Sequence, residues 1–124
     1  MSADEYLFFN RLPRFLPVYE ALKERLEARH PDMAAKVTKT QISFRSCYVF
    51  AMVSLPYRRK KDWPKEYLMV SFGLDHQKKS PRIVQSVEAY PNRWTHHVIV
   101  ERAEDLNEEL LCWLEEAYQF SMIK

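Results

Sequence analysis

The sequence contains a single glycine, Gly73, among its 124 residues. Glycine adopts positive backbone φ angles at no steric cost and lets phosphate groups approach the main chain closely. One glycine therefore excludes a glycine-rich phosphate loop and leaves little capacity for glycine-dependent hairpin turns. The Gly-x-Ser-x-Gly turn that presents the nucleophile of many hydrolases is absent as well.

Cysteine is scarce too, with Cys47 and Cys112 separated by 65 positions. Each lies in an apolar segment, so we expect two buried free thiols. Together with His30 and His76, they show neither Cys-x-x-Cys spacing nor histidines four residues apart. The sequence therefore predicts no metal site, and it contains no recognisable cofactor motif or catalytic triad.

Long apolar runs are also missing, since no stretch approaches the roughly 20 residues of a membrane helix. The first five residues are acidic and lack the basic and apolar regions of a signal peptide. We therefore expect a cytoplasmic protein that has no membrane partner.

The remaining composition is that of a soluble globular chain, with 47% hydrophobic and 29% charged residues. A chain of this length forms one domain, residues 1–124, and buries enough surface to fold without a disulfide or metal. Aromatic residues make up 14%, which predicts a core built from large rings.

Helical periodicity appears at both ends of the chain. Residues 4–12 are helix-compatible, and prolines at 13 and 17 mark the start of a second helix that ends near Arg29. Near the other end, Asp105 precedes Glu108 by the spacing of a capping box. The apolar face of the helix that follows consists of Leu106, Leu110, Trp113, Leu114, Ala117 and Ser121.

Between the helices, five segments have the apolar patterns of strands: residues 35–44, 48–55, 67–74, 82–90 and 94–101. Their short connections favour antiparallel pairing, because parallel pairs need long crossovers. The prediction is an α+β domain, an antiparallel sheet of about five strands with the N-terminal helices and the C-terminal helix packed on one face.

Six sequence runs, in a fixed order, carry a family resemblance. They are KTQISF at 39–44, FAMV at 50–53, SPRI at 80–83, RWTHHV at 93–98, DLNEEL at 105–110 and WLEEAY at 113–118. This order resembles the bacterial domain-of-unknown-function family 5655 over about residues 9–120. Members of that family stand alone or end longer proteins, so the resemblance implies an accessory module. It implies no activity.

Adjacent histidines, His96 and His97, occupy the middle of the last predicted strand. Neighbouring strand residues point to opposite faces, so the two cannot line one pocket. One hypothesis is that either histidine, with Arg82 or Arg93, binds an anion or acts as a general base. The alternative is a buried histidine with a purely structural partner.

A basic loop supplies the strongest binding signal. Arg58, Arg59, Lys60 and Lys61 are consecutive cations that can neutralise phosphates, and Trp63 can stack on a base. Residues 36–102 contain 13 Lys and Arg against five Asp and Glu, whereas the two ends together contain six against 12. The alternative is a solvated hairpin tip with Trp63 packed on the core.

The first predicted strand alternates polar residues, among them Lys39 and Gln41, which could form a polar floor for a small ligand. The alternative is a solvent-facing outer strand. Taken together, the residues favour a non-catalytic module that binds an anionic partner, with nucleic acid preferred. The competing hypothesis is a small-molecule or enzymatic pocket on the sheet that uses a histidine and arginines.

Overall fold

An antiparallel sheet forms the centre of the computed structural model, which describes residues 2–56 and 62–123. Within that part of the chain its strands are β1 (Ala34–Val37), β2 (Ile42–Arg45), β3 (Val49–Ser54), β4 (Leu68–Leu74), β5 (Ile83–Tyr90) and β6 (Arg93–Val100). The spatial order is β1-β2-β3-β4-β6-β5, so β1 and β5 form the two edges. The predicted α+β class is confirmed, with six strands rather than five.

The additional strand arises because residues 35–44 form a hairpin instead of one strand. The Thr38 hydroxyl donates to the Gln41 carbonyl at 3.0 Å, and the Thr38 amide donates to the same carbonyl at 2.9 Å. Threonine side chains compete with strand pairing through such local hydrogen bonds. The alternation of polar and apolar residues continues across the turn. The sequence pattern therefore does not distinguish a hairpin from one long strand.

The hairpin between β5 and β6 shows how a glycine-poor chain turns tightly. Asn92 adopts a φ of 61°, in the left-handed region. Asparagine enters this region more readily than most residues because its short polar side chain bonds locally. The chain therefore turns between Tyr90 and Arg93 with asparagine in the role that glycine often takes.

Two helices precede the sheet. The first, α1 (Ala3–Phe8), is held by a capping box between Ser2 and Glu5. A 3₁₀ turn (Pro13–Phe15) then leads into α2 (Leu16–Arg29), whose first turn contains Pro17. Proline is tolerated there because the missing N–H would have no intrahelical partner.

The C-terminal helix, α3 (Glu108–Ser121), begins at a different cap from the predicted one. Asn107 accepts the Leu110 amide at 3.1 Å, whereas Asp105 accepts the amides of Glu101 at 2.9 Å and Arg102 at 3.3 Å. Asp105 thus stabilises the 3₁₀ turn before the helix. The predicted apolar face is confirmed, because all six of its residues are buried. None of the helices in the described ranges has the length and apolar character needed to cross a membrane.

Helices α2 and α3 pack on the same face of the sheet. Tyr19 of α2 stacks on Phe44 with ring centroids 5.9 Å apart, and Trp113 of α3 stacks on Phe72, also at 5.9 Å. Phe44 and Phe72 lie in one row with Ala51 between them. The core is therefore rich in aromatic rings, as the composition predicts. The opposite side of the sheet is called the open face below.

The prediction that both thiols are buried is wrong, although both cysteines are free. Cys47 is exposed because it lies in the connection between β2 and β3. Cys112 is exposed because it lies four residues from both Glu108 and Glu116, on the polar side of α3.

Candidate functional site

A row of directly opposed residues crosses the open face from one edge of the sheet to the other. Opposed residues in antiparallel strands place their side chains on one face. With strands about 4.8 Å apart, a row across six strands extends roughly 24 Å. This cross-strand row consists, from β1 to β5, of Lys36, Ser43, Met52, Ser71, His97 and Gln85.

Two side-chain hydrogen bonds involve serines of the cross-strand row. The Ser71 hydroxyl oxygen lies 2.7 Å from Nδ1 of His97. The side-chain Nε2 of Gln41 donates to the Ser43 hydroxyl at 3.3 Å. Ser43 and Ser71 are only 8% and 6% exposed, while His97 and Gln41 are half-buried. The nearly buried serines therefore hold the two more accessible side chains in place.

The electrostatic character of the open face is positive. The six strands contain a single acidic residue, Glu88, which opposes Trp94 and so belongs to the helix-covered side. By strand alternation, Lys36 and Arg45 lie on the open face. Cations without neighbouring strand carboxylates favour an anionic ligand.

His96 lies on the side opposite to its neighbour and is fully buried. Its Nε2 accepts the Lys78 backbone amide at 2.8 Å, and its ring stacks on Phe72 with centroids 5.0 Å apart. Burial lowers the pKa of His96, against an opposing effect of the Phe72 backbone, so the imidazole is neutral in the fold. Among the described residues its Nδ1 has no hydrogen-bond partner. This environment is that of a structural core histidine.

The predicted arginines do not converge on one histidine. Arg82 donates to the Asn107 side chain and to the Asp105 carbonyl, both at 2.8 Å, and so joins the start of β5 to the cap of α3. Arg93 lies over the ring of Phe120 at 5.1 Å from its centroid. The two arginines occupy opposite ends of the β5–β6 hairpin.

The remaining predicted site residues separate into two regions. Lys39 lies in the β1–β2 turn and lines a cleft beside α1, whereas the Gln41 side chain bonds to Ser43 of the cross-strand row. Trp63 is half-buried, and its ring contacts that of Tyr67 edge to face at 5.9 Å. The basic run of Arg58, Arg59, Lys60 and Lys61 lies outside the described residues.

Sequence reasoning missed Lys36, Ser71 and Gln85 because strand register brings them together. A signal did exist for Ser71, which is the one polar side chain in the otherwise apolar strand of residues 68–74. A polar residue in such a strand must find a partner or a ligand. In the described ranges no group of three His, Cys, Asp or Glu residues could hold a metal ion.

The fold and the row define a small α+β domain with a polar sheet face. The chain belongs to the family described as Domain of unknown function (DUF5655), which it matches over residues 6–121. This match covers nearly the whole chain and confirms the resemblance carried by the six sequence runs. No curated protein and no solved structure matches the chain.

Proposed function

We propose that this domain is a non-catalytic cytoplasmic module that binds a small anion, a phosphate or carboxylate compound, on the open face. The observation that carries the proposal is the Ser71–His97 hydrogen bond at the centre of a row without strand carboxylates. His97 and Gln41 are the side chains that a ligand on this face would contact. The free state of both cysteines is consistent with a reducing compartment.

Binding is favoured over catalysis by the position of Ser71 in the sheet. A serine next to a histidine can act as a nucleophile, but acyl transfer also needs donors aimed at the developing oxyanion. Strand β4 is paired on both sides, with β3 and β6. Its backbone amides form hydrogen bonds with these two strands, so they cannot form an oxyanion hole beside Ser71.

The proposal is tested by titrating the protein with inorganic phosphate and with succinate while recording amide NMR spectra. We expect saturable shifts centred on β4 and β6. Replacing a group that hydrogen-bonds a charged ligand typically costs about 1.5–3 kcal/mol, so His97→Gln should weaken binding by about tenfold or more. Ser71→Ala should weaken it through loss of the bond that orients His97.

A matched control is His76→Gln, which changes an exposed histidine in the loop after β4. This variant should bind both probes as the unmodified protein does. Equal affinity in His97→Gln and His76→Gln would overturn the proposal, as would shifts confined to other surfaces.

Nucleic acid is the second candidate partner, and the connection between β3 and β4 supports it. This connection contains the basic run at residues 58–61 together with Trp63, and it leads directly into the strand that carries Ser71. Four neighbouring cations followed by an indole provide both phosphate neutralisation and a stacking surface.

A further inference from the structure

A cleft separates α1 from the β1–β2 turn. One part of it has a volume of about 270 Å³ and is lined by Phe8, Arg11, Lys39, Thr40 and Leu55. An adjoining hollow of about 460 Å³ shares the first three of these residues and adds Asp4, Leu7, Val37 and Thr38. The two hollows together are called the α1 cleft.

The α1 cleft combines an apolar wall with two exposed cations. Leu55 is 4% exposed and Phe8 is half-buried, and both contribute apolar surface to the lining. Arg11 and Lys39 are both exposed and have no hydrogen bond or ion pair among the described residues. Asp4 is the one carboxylate on the lining.

Two lysines elsewhere in the domain form ion pairs. Lys23 pairs with Glu5 at 2.8 Å and Lys78 with Glu116 at 2.9 Å. In the α1 cleft, by contrast, the two cations Arg11 and Lys39 line the same hollow and outnumber its single carboxylate, Asp4, with which neither forms an ion pair. An anionic group placed between the two cations would gain charge-assisted hydrogen bonds from both.

We propose that the α1 cleft binds a small amphipathic anion, a carboxylate with a short apolar tail. The tail would cover Phe8 and Leu55, and the carboxylate would lie between Arg11 and Lys39. The two hollows, of about 270 and 460 Å³, lie just below and inside the usual range of ligand pockets, about 300–1,000 Å³, so the occupant is a small molecule. This site is separate from the cross-strand row and does not depend on the function proposed for it.

Octanoate is a suitable probe, with acetate and 1-octanol as its two halves. Acetate supplies the charge without the tail, and octanol supplies the tail without the charge. We expect saturable octanoate binding by calorimetry, below its micelle concentration, with amide NMR shifts at Phe8, Arg11, Lys39 and Thr40. Both partial probes should bind at least about tenfold more weakly, because each lacks one source of binding free energy.

Two variants test the assignment of the charged groups. Arg11→Gln and Lys39→Gln should each reduce octanoate affinity by about tenfold, the effect of losing one charge-assisted hydrogen bond. Lys65→Gln removes another exposed cation and should leave affinity unchanged. Thermal unfolding curves identify a variant whose fold is altered. If one of the two cleft variants is altered, the other one tests the assignment.

Four results would overturn the inference. One is the absence of saturable octanoate binding. Another is undiminished binding in both cleft variants, and the third is acetate binding as tight as that of octanoate. Shifts centred on Ser71 and His97 would also overturn it, because they would place the probe on the open face instead.

Discussion

Glu5 shows how a single buried charge organises the N-terminal part of the chain. The residue is 3% exposed, and its carboxylate accepts hydrogen bonds from the Tyr19 hydroxyl, from Lys23 at 2.8 Å and from the Ser2 amide at 2.9 Å. Burial alone would raise the pKa of Glu5, but these partners outweigh it and lower the pKa to about 2. The carboxylate therefore joins the start of α1 to the middle of α2.

Replacing Glu5 with glutamine should destabilise the domain by about 3 kcal/mol at pH 7, because Lys23 then lacks its partner. The folded-state pKa lies below the unfolded value, so the carboxylate contributes fully above about pH 4.5. That contribution is lost as the pH falls towards 2. Urea unfolding between pH 7 and pH 3 should therefore show the difference between the two proteins shrinking.

The matched control for this measurement is Glu20→Gln, since Glu20 is an exposed acid of α2. It should change stability by less than about 0.5 kcal/mol. A stability difference for Glu5→Gln that stays constant across the acidic range would contradict the assigned role of the carboxylate.

The histidines mark the limit of sequence reasoning for single residues. Strand alternation predicts that His96 and His97 face opposite ways, and this is what the structure shows. The two histidines differ in their hydrogen-bond partners. His96 bonds to the Lys78 amide, 18 positions away in the chain, and His97 to the Ser71 hydroxyl, 26 positions away. Contacts at such separations depend on loop paths and strand register, which local sequence patterns do not encode.

Among the elements, α3 was the most predictable. Its apolar face follows helical spacing, and all the residues predicted for that face are buried. The cap could not be assigned from sequence because Asp105 and Asn107 both suit that position. In the structure the Asp105 carboxylate accepts the amides of Glu101 and Arg102, which leaves Asn107 as the cap.

Trp113→Ala should destabilise the domain by about 3–5 kcal/mol, the usual cost of truncating a buried aromatic residue. The indole is 7% exposed and stacks on Phe72 of β4. Cys112→Ala, at the neighbouring exposed position, is the control and should shift stability by less than about 0.5 kcal/mol. Coincident urea unfolding curves for the two variants would show that α3 does not depend on this contact.

The sheet was predicted in outline but not in register. Most strand positions follow from apolar runs, whereas the hairpin at Thr38 and the order β4-β6-β5 do not. A slip of one residue in any pair would move its side chains to the other face. The cross-strand row therefore becomes visible only when the pairing is known, and the sequence indicated only some of its members.

At the scale of the whole molecule, charge is distributed unevenly along the chain. The basic residues concentrate in residues 36–102, and the acidic residues concentrate in the terminal segments that form the helices. The strands of the open face contribute cations and no carboxylates to that face. Such a separation is the charge distribution that the proposed binding of an anion on the sheet requires.

The nucleic-acid hypothesis can be tested separately from small-anion binding through its salt dependence. If residues 58–61 contact phosphates, the logarithm of affinity for an oligonucleotide should fall by roughly 0.7–0.9 per tenfold rise in salt for each contact. Replacing Arg58, Arg59, Lys60 and Lys61 with serine should flatten this slope and weaken binding to all sequences alike. Fluorescence anisotropy with single- and double-stranded oligonucleotides at several salt concentrations measures both quantities.

Lys79→Ser is the control for this experiment, because it removes one exposed cation from the loop after β4. It should change the salt slope by no more than the roughly 0.7–0.9 expected for one phosphate contact. The fourfold variant should still bind inorganic phosphate if the cross-strand row is the small-anion site, since Ser71 and His97 are unchanged. Absence of salt-sensitive oligonucleotide binding by the unmodified protein at low ionic strength would contradict the hypothesis. The polar row of the open face would then account for anion binding without the basic run.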